Sequence, residues 1–182
     1  RFRTRSDTEV IVHAYEEYGT ACLERLRGMF TIALWDATRR RLMLARDRVG
    51  VKQLFFTVVG NQLLWGSELK CLLSHPGVER RLSPAGLNLF LTYLYVPAPL
   101  TIFEGIEELE PAHCLIAENG AIQIERYWDL HYQVDEDRSD EETIAGFRSL
   151  LDESVKMRMV ADVPLGAFLS GGIDSGAVVA RM

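Results

Sequence analysis

An antiparallel α+β module followed by the opening of an α/β module is the architecture this sequence predicts, and three observations predict it. Short apolar runs come in pairs joined by polar turns, as in "TIALWDATRRRLMLAR", "LFFTVVGNQLLW" and "HCLIAENGAIQI", the pattern of antiparallel hairpins. An acidic, unpatterned stretch, "DEDRSDEE", holds no aliphatic residue and reads as a linker. Beyond it an apolar run enters "LSGGIDSGAVVA", a glycine-rich loop that opens a helix. The predicted domains are therefore 1–134 and 135–182.

The elements follow in order. Ser6 with Glu9 three places on has the form of a capping box, so a helix is expected from about Asp7 to near Gly19. Two hairpins come next, turning over 36–40 and at Gly60 and Asn61. A short helix is expected in "SELKCLLS", and Ser83 ahead of Pro84 starts another in "SPAGLNLFLTYLY", which "VPAPLTIF" breaks. The third hairpin turns at Asn119 and Gly120. After the linker, Ser139 and Glu142 make a second capping box for a long helix with Ile144, Phe147, Leu150, Leu151, Val155 and Met159 on one face. Residues 163–169 read as a buried strand, followed by the glycine-rich loop and a last helix.

Composition narrows the function classes. The 182 residues are 48% apolar and 25% charged, ordinary soluble globular material. A net charge of -6 argues against nucleic acid as partner, because neutralising phosphates needs clustered Lys and Arg; Arg39, Arg40 and Arg41 read as solvated turn charges. No apolar run approaches the roughly 20 residues of a membrane span, so no membrane partner is expected. Cys22, Cys71 and Cys114 lie far apart in apolar patterns with no zinc spacing, which predicts buried free thiols, a reducing cytoplasmic setting and no metal site. His13, His75, His113 and His131 share no ligand spacing. Arg46, Asp47 and Arg48 read as an ion cluster fixing a loop at a strand end, and Glu68 and Lys70 as a helix-start acid and a solvated base. The chain opens in mid-pattern without Met and ends without a helix stop signal, so a piece of a longer protein is expected.

The loop carries the chemistry. Gly171 and Gly172 are expected to adopt backbone conformations closed to a Cβ and to bring amides close to a ligand, Ser170 and Ser175 add hydroxyl donors, and the helix start adds its dipole. Such a loop suits phosphate oxygens, although it lacks the lysine of a Walker A loop. The plainer alternative, a Gly-Gly turn capped by Asp174, is outweighed by the full string "SGGIDS" between an apolar run and small residues. That string resembles the pyrophosphate loop of the ATP pyrophosphatase superfamily, and "DVPLGAFLSGGIDS" resembles its glutamine-hydrolysing asparagine synthetase branch. In order, "RSDTEVIVHAYEEYG", "LRGMFTIALWD", "RDRVGVKQLFF" and "GSELKCLL" resemble the later half of that family's class II glutaminase domain, an Ntn-hydrolase-like α+β fold. Two departures, Gln53 where the family commonly has Pro and Ala112 in "LEPAH" where Gly commonly precedes the His, read as local turn variation.

The resemblance implies a division of labour. Asp7 would bind the α-ammonium group of glutamine, against the alternative that Ser6 and Asp7 only cap the helix. The family's nucleophile is a mature N-terminal cysteine whose α-amine acts as base; Arg1 stands first here, so 1–182 contains no assigned catalytic residue and is expected to be inactive alone. Leu169, Ser170, Gly171, Gly172, Asp174 and Ser175 would bind ATP and its pyrophosphate, with Mg2+ sharing the charge. The implied partners are small molecules: glutamine, ATP and an acceptor carboxylate, in a homodimeric assembly. Aspartate is the implied acceptor, and a sugar acid stays open because "FLTYLYVPAPLTIFEGIEELEPAHCLI" also resembles paralogues of exopolysaccharide gene sets. An ATP-dependent ligase without glutaminase activity and a non-catalytic interaction module remain as readings from other classes.

Overall fold

Local turn chemistry sets the hairpins. Asp36 accepts the amides of Thr38 and Arg39 through one carboxylate oxygen at 3.0 Å, folding the chain back between β1 (Thr31–Asp36) and β2 (Arg41–Arg46). Positive-φ residues at Gly60, and at Asn119 with Gly120, close β3 (Phe55–Val59) on β4 (Gln62–Gly66) and β6 (His113–Glu118) on β7 (Ala121–Arg126). A two-residue strand, β5 (Glu107–Glu108), completes the set. All pairings are antiparallel, in a four-stranded sheet of order β1-β2-β6-β7 and a three-stranded sheet of order β4-β3-β5.

The computed structural model describes residues 2–182, which divide into two compact units, one running to Leu130 and one of His131–Met182. In the first, the period-two alternation of β2 feeds two cores. Met43 and Ala45 join Ile32, Cys114, Cys22 and Leu23 beneath α1 (Asp7–Tyr18) and α2 (Cys22–Arg25). Leu42 and Leu44 join Leu115, Leu54, Phe56 and Leu109 between the two sheets. Phe55, on the far face of the small sheet, packs with Leu72 of α3 (Leu69–Leu73) and Ile106. The layers therefore run helix, sheet, sheet, helix, the α+β arrangement expected from the sequence. A further helix, α4 (Pro84–Tyr93), starts at Ser83, whose hydroxyl accepts the amide of Gly86.

The second unit holds α5 (Asp140–Arg158), whose capping box is complete: Ser139 Oγ accepts the Glu142 amide and the Glu142 carboxylate accepts the Ser139 amide. On its apolar face Val155 is buried, whereas Ile144, Phe147 and Leu150 are exposed. The last helix is α6 (Ile173–Val179), and Arg181 pairs with Asp152 of α5 at 3.2 Å.

Three expectations need correction. Residues 163–169 form no strand and are exposed, because a strand needs a neighbour to satisfy its amides and the described residues of this unit offer none. The first capping box does not close: Ser6 caps through the Thr8 amide, while Glu9 turns to the Arg3 and Thr4 amides. Cys71 is exposed rather than buried, since it lies on the outer side of a five-residue helix; Cys22 and Cys114 are buried, and all three thiols are free. Ala112 lies in a turn, as expected, and there it is buried and sits in the left-handed region at φ 59°. An alanine Cβ there costs about 1–2 kcal/mol. Ala112→Gly is therefore expected to raise stability by roughly 1 kcal/mol after the glycine's larger unfolded-state entropy is subtracted; urea denaturation reads this directly, and an unchanged or lower midpoint refutes the strain.

Candidate functional site

The start of α1 divides its acids between two tasks. Glu9 accepts the Arg3 and Thr4 amides at 2.6 Å and the Thr4 hydroxyl, which lashes the preceding chain to the helix. These bonds, the Thr4 hydroxyl foremost, hold its carboxyl at about 2, far below the ordinary carboxylate range. Asp7, in the same first turn, is exposed and meets only the neighbouring hydroxyls of Ser6 and Thr8 at 3.4–3.5 Å. No cation among the described residues pairs with it, so a carboxylate stabilised by the helix dipole is left facing solvent.

A buried clamp holds the loop after β2. Asp47, fully buried, accepts four backbone amides: Phe30 and Lys52 through one oxygen, Val49 and Val51 through the other, at 3.0–3.3 Å. Arg46 donates to the carbonyls of Lys52, Gly50 and Leu109 at 2.6–3.0 Å and pairs with Glu108 at 2.9 Å. Burial pushes the Glu108 carboxyl above its ordinary value against the pull of Arg46. Gly50 has φ +70°, and an added Cβ there would lie 2.7 Å from Pro111 and 3.0 Å from Arg46, so glycine is required on both counts. The loop-fixing role expected for Arg46 and Asp47 is what the structure displays. Arg48 instead lies over Trp128 and donates to the Glu24 carbonyl. The part sequence reading missed is Glu108, the buried partner of Arg46; its only local signal is a pair of acids between Ile106 and Leu109. Beside the clamp lies an open cavity of about 490 Å3 lined by Thr31, Gly50, Val51, Lys52, Gln53 and Glu68 among others.

Of the cysteines, Cys22 and Cys114 are poor nucleophiles. Burial raises both thiols, Cys114 to about 12, so they stay protonated.

In the second unit the loop forms without the strand before it. Ser170 Oγ and Ser175 Oγ stand 2.8 Å apart, Ser175 also donates to the Gly172 carbonyl at 3.1 Å, and the Gly172 amide points to Ser170 Oγ at 3.4 Å. Gly171 takes φ +81°, which a Cβ strongly disfavours. Gly172, at φ -80° and ψ 162°, is in ordinary extended conformation, so only the first glycine is required by its dihedrals. Asp174 in the first turn of α6 is exposed without a partner among the described residues, and Leu169 is exposed. Ser170, Gly171, Gly172 and Ser175 are thus brought together, with Asp174 exposed in the same first turn of α6. Among the described residues no group of three His, Cys, Asp or Glu is placed to hold a metal ion, and no helix is long and apolar enough to cross a membrane.

Comparison with known proteins places this geometry. Residues 1–128 match the family model described as a glutamine amidotransferase domain. The chain belongs to this glutamine amidotransferase family. Residues 146–182 of the amidotransferase chain match a second family model, asparagine synthase. Among its relatives, asparagine synthetase [glutamine-hydrolyzing] 3 of Bacillus subtilis is 41% identical over 99% of this chain and 29% of its own length. Amidase chyE of Penicillium rubens is 39% identical over 98% of this chain and 26% of its own length. The chain thus spans less than a third of these relatives. Among solved structures, glutamine phosphoribosylpyrophosphate amidotransferase from B. subtilis, complexed with ADP and GMP, aligns with a TM-score of 0.47 at 17% identity over 100% of this chain and 38% of that one.

Proposed function

We propose that the whole protein is a glutamine-dependent asparagine synthetase acting in the cytoplasm. Glutamine is hydrolysed to glutamate and ammonia; the side-chain carboxylate of aspartate attacks the α-phosphate of ATP, forming β-aspartyl-AMP and releasing pyrophosphate; ammonia then displaces AMP to give asparagine. The observation that carries this reading is the tandem order on one chain, a glutamine amidotransferase match over 1–128 and an asparagine synthase match over 146–182. Domain assignments of 1–134 to the glutaminase and 135–182 to the start of the ATP-using domain go with it.

Asp7 supplies the negative charge for the glutamine α-ammonium group. Leu169 touches the nucleotide, while Ser170, Gly171, Gly172 and Ser175 turn hydroxyls and amides toward the departing pyrophosphate. Asp174 stands with these residues in the pyrophosphate-binding set, and magnesium enters with the triphosphate and shares its charge.

Asp7→Ala is expected to raise KM for glutamine by about 10–100-fold, the loss of one charge-assisted hydrogen bond of roughly 1.5–3 kcal/mol. Synthesis from free ammonia should be unchanged. If KM holds and only the thermal midpoint falls, Asp7 is no more than a helix-start residue. The reaction itself is tested on the complete polypeptide with ATP, magnesium, aspartate and amide-15N glutamine, following labelled asparagine and AMP by mass spectrometry. Hydrolysis of glutamine without labelled asparagine refutes aspartate as acceptor. The same chemistry on another carboxylate, such as a sugar acid, is then the reading in force.

A further inference from the structure

One carboxylate holds the chain that leads into α1. Glu9 Oε1 accepts the Arg3 amide and Oε2 the Thr4 amide, both at 2.6 Å, and Oε2 also takes the Thr4 hydroxyl. Thr4 Oγ1 in turn accepts the Ser6 amide at 3.2 Å. One helical turn beyond Glu9, the Phe2 ring meets the His13 ring edge-on, with centroids 5.0 Å apart, and His13 Nε2 stands 3.5 Å from Glu9 Oε1. Residues 2–6 therefore run back along α1 as a strap held at two successive turns. Asp7 sits at the corner between strap and helix. Both of its hydroxyl contacts, from Ser6 and Thr8, fall on Oδ1, which leaves Oδ2 without a partner among the described residues.

We infer that Glu9 is a positioning residue for glutamine, fixing the strap so that the Asp7 carboxylate is presented to the α-ammonium group in one direction; this rests on the reading of Asp7 as the ammonium site. The two acids divide the work by reach. Glu9 is long enough to fold back on residues 3 and 4, and the three donors it gathers leave it no oxygen to offer a ligand. Asp7 is shorter and stays at the corner with one oxygen open. A carboxylate on a loose helix end samples several directions, and affinity falls in proportion to the fraction of molecules in the competent one. Were the strap absent, Glu9 would be free to close the capping box on the Ser6 amide instead, redirecting the backbone that carries Asp7. With its carboxyl held at about 2, Glu9 stays charged at any ordinary assay pH, so the grip is permanent.

The test is steady-state glutamine hydrolysis by the complete polypeptide carrying Glu9→Asp, Glu9→Ala or Glu9→Gln, with the alanine variant also made in an Asp7→Ala background. Glu9→Asp keeps the charge at the helix start but is one methylene short of the strap; Glu9→Gln keeps the length and one acceptor oxygen. Glu9 belongs to none of the hydrophobic clusters, so folding should survive. If about one molecule in ten stays competent without the strap, KM for glutamine rises about 10-fold in the aspartate and alanine variants with kcat within about 2-fold, and glutamine at position 9 restores part of the loss. Hydrogen exchange at the Arg3 and Thr4 amides should quicken in the same order. In the Asp7→Ala background Glu9→Ala should add less than about 2-fold, because a residue acting through Asp7 has nothing left to orient. An unchanged KM in both the aspartate and alanine variants, where Asp7→Ala raises it, overturns the role of Glu9 and leaves Asp7 standing. So does a rise that persists undiminished without Asp7. An unchanged KM in Asp7→Ala itself refutes the ammonium site, and the positioning role with it.

Discussion

Asp47→Ala should cost about 3–5 kcal/mol of folding stability, the range seen when one member of a buried charged network is removed. Asp47 is fully buried and gathers four amides from two directions, Phe30 at the entry to β1 and Val49, Val51 and Lys52 in the loop after β2. Each is a charge-assisted bond of about 1.5–3 kcal/mol in isolation, but Val49 and Val51 are exposed and water would recover part of theirs. The half-buried Phe30 amide would lose its acceptor, and the Arg46 guanidinium would keep three carbonyl contacts around a loop no longer drawn inward. Asp47→Asn retains one acceptor oxygen and should lose about half as much. The measurement is urea denaturation, read together with hydrogen exchange at Val51 and Lys52, whose amides should lose protection first. A loss below about 1 kcal/mol for the alanine variant would show that solvent replaces the carboxylate and that the loop holds its shape without it.

How much of this was legible in the sequence depends on how local each interaction is. The hairpins were legible because Asp36, Gly60 and the Asn119-Gly120 pair make their turns with bonds and dihedrals inside a few residues. Ser83 and Ser139 announced their helices for the same reason. The capping box at Ser6 and Glu9 failed because the identical local pattern had a competitor: the chain from Arg3 folds back and takes the carboxylate. Arg46 lies on β2 of the four-stranded sheet and Glu108 on β5 of the three-stranded sheet, brought together only by the packing of the two sheets, so neither residue signals the other. Residues 163–169 have strand composition, yet strand formation is a property of the pair, and composition alone does not supply a partner. At the candidate phosphate loop, the string "SGGIDS" specified the residue types and the convergence of Ser170 on Ser175, but not that Gly171 alone uses a left-handed conformation.

The convergence of those two hydroxyls gives the sharpest functional expectation. Ser175 lies between Ser170 Oγ and the Gly172 carbonyl, so its hydroxyl is held in place before any ligand arrives. The oxygen is in place, and only its single proton has to turn from the Gly172 carbonyl to the leaving pyrophosphate as negative charge builds; removing one such donor typically slows the chemical step by about 100–1000-fold. Ser175→Ala in the complete polypeptide should therefore lower kcat for pyrophosphate release by about 100-fold, while KM for ATP changes by less than about 5-fold, since a grip that tightens in the transition state contributes little to ground-state binding. Glutaminase turnover should be retained, which separates a lesion in this loop from general unfolding. Ser170→Ala should act less than additively with it, because each hydroxyl orients the other. A pyrophosphate rate equal to wild type in the double variant would remove the loop from the reaction. A rise in KM at constant kcat would leave it a nucleotide-binding element that does not favour the transition state.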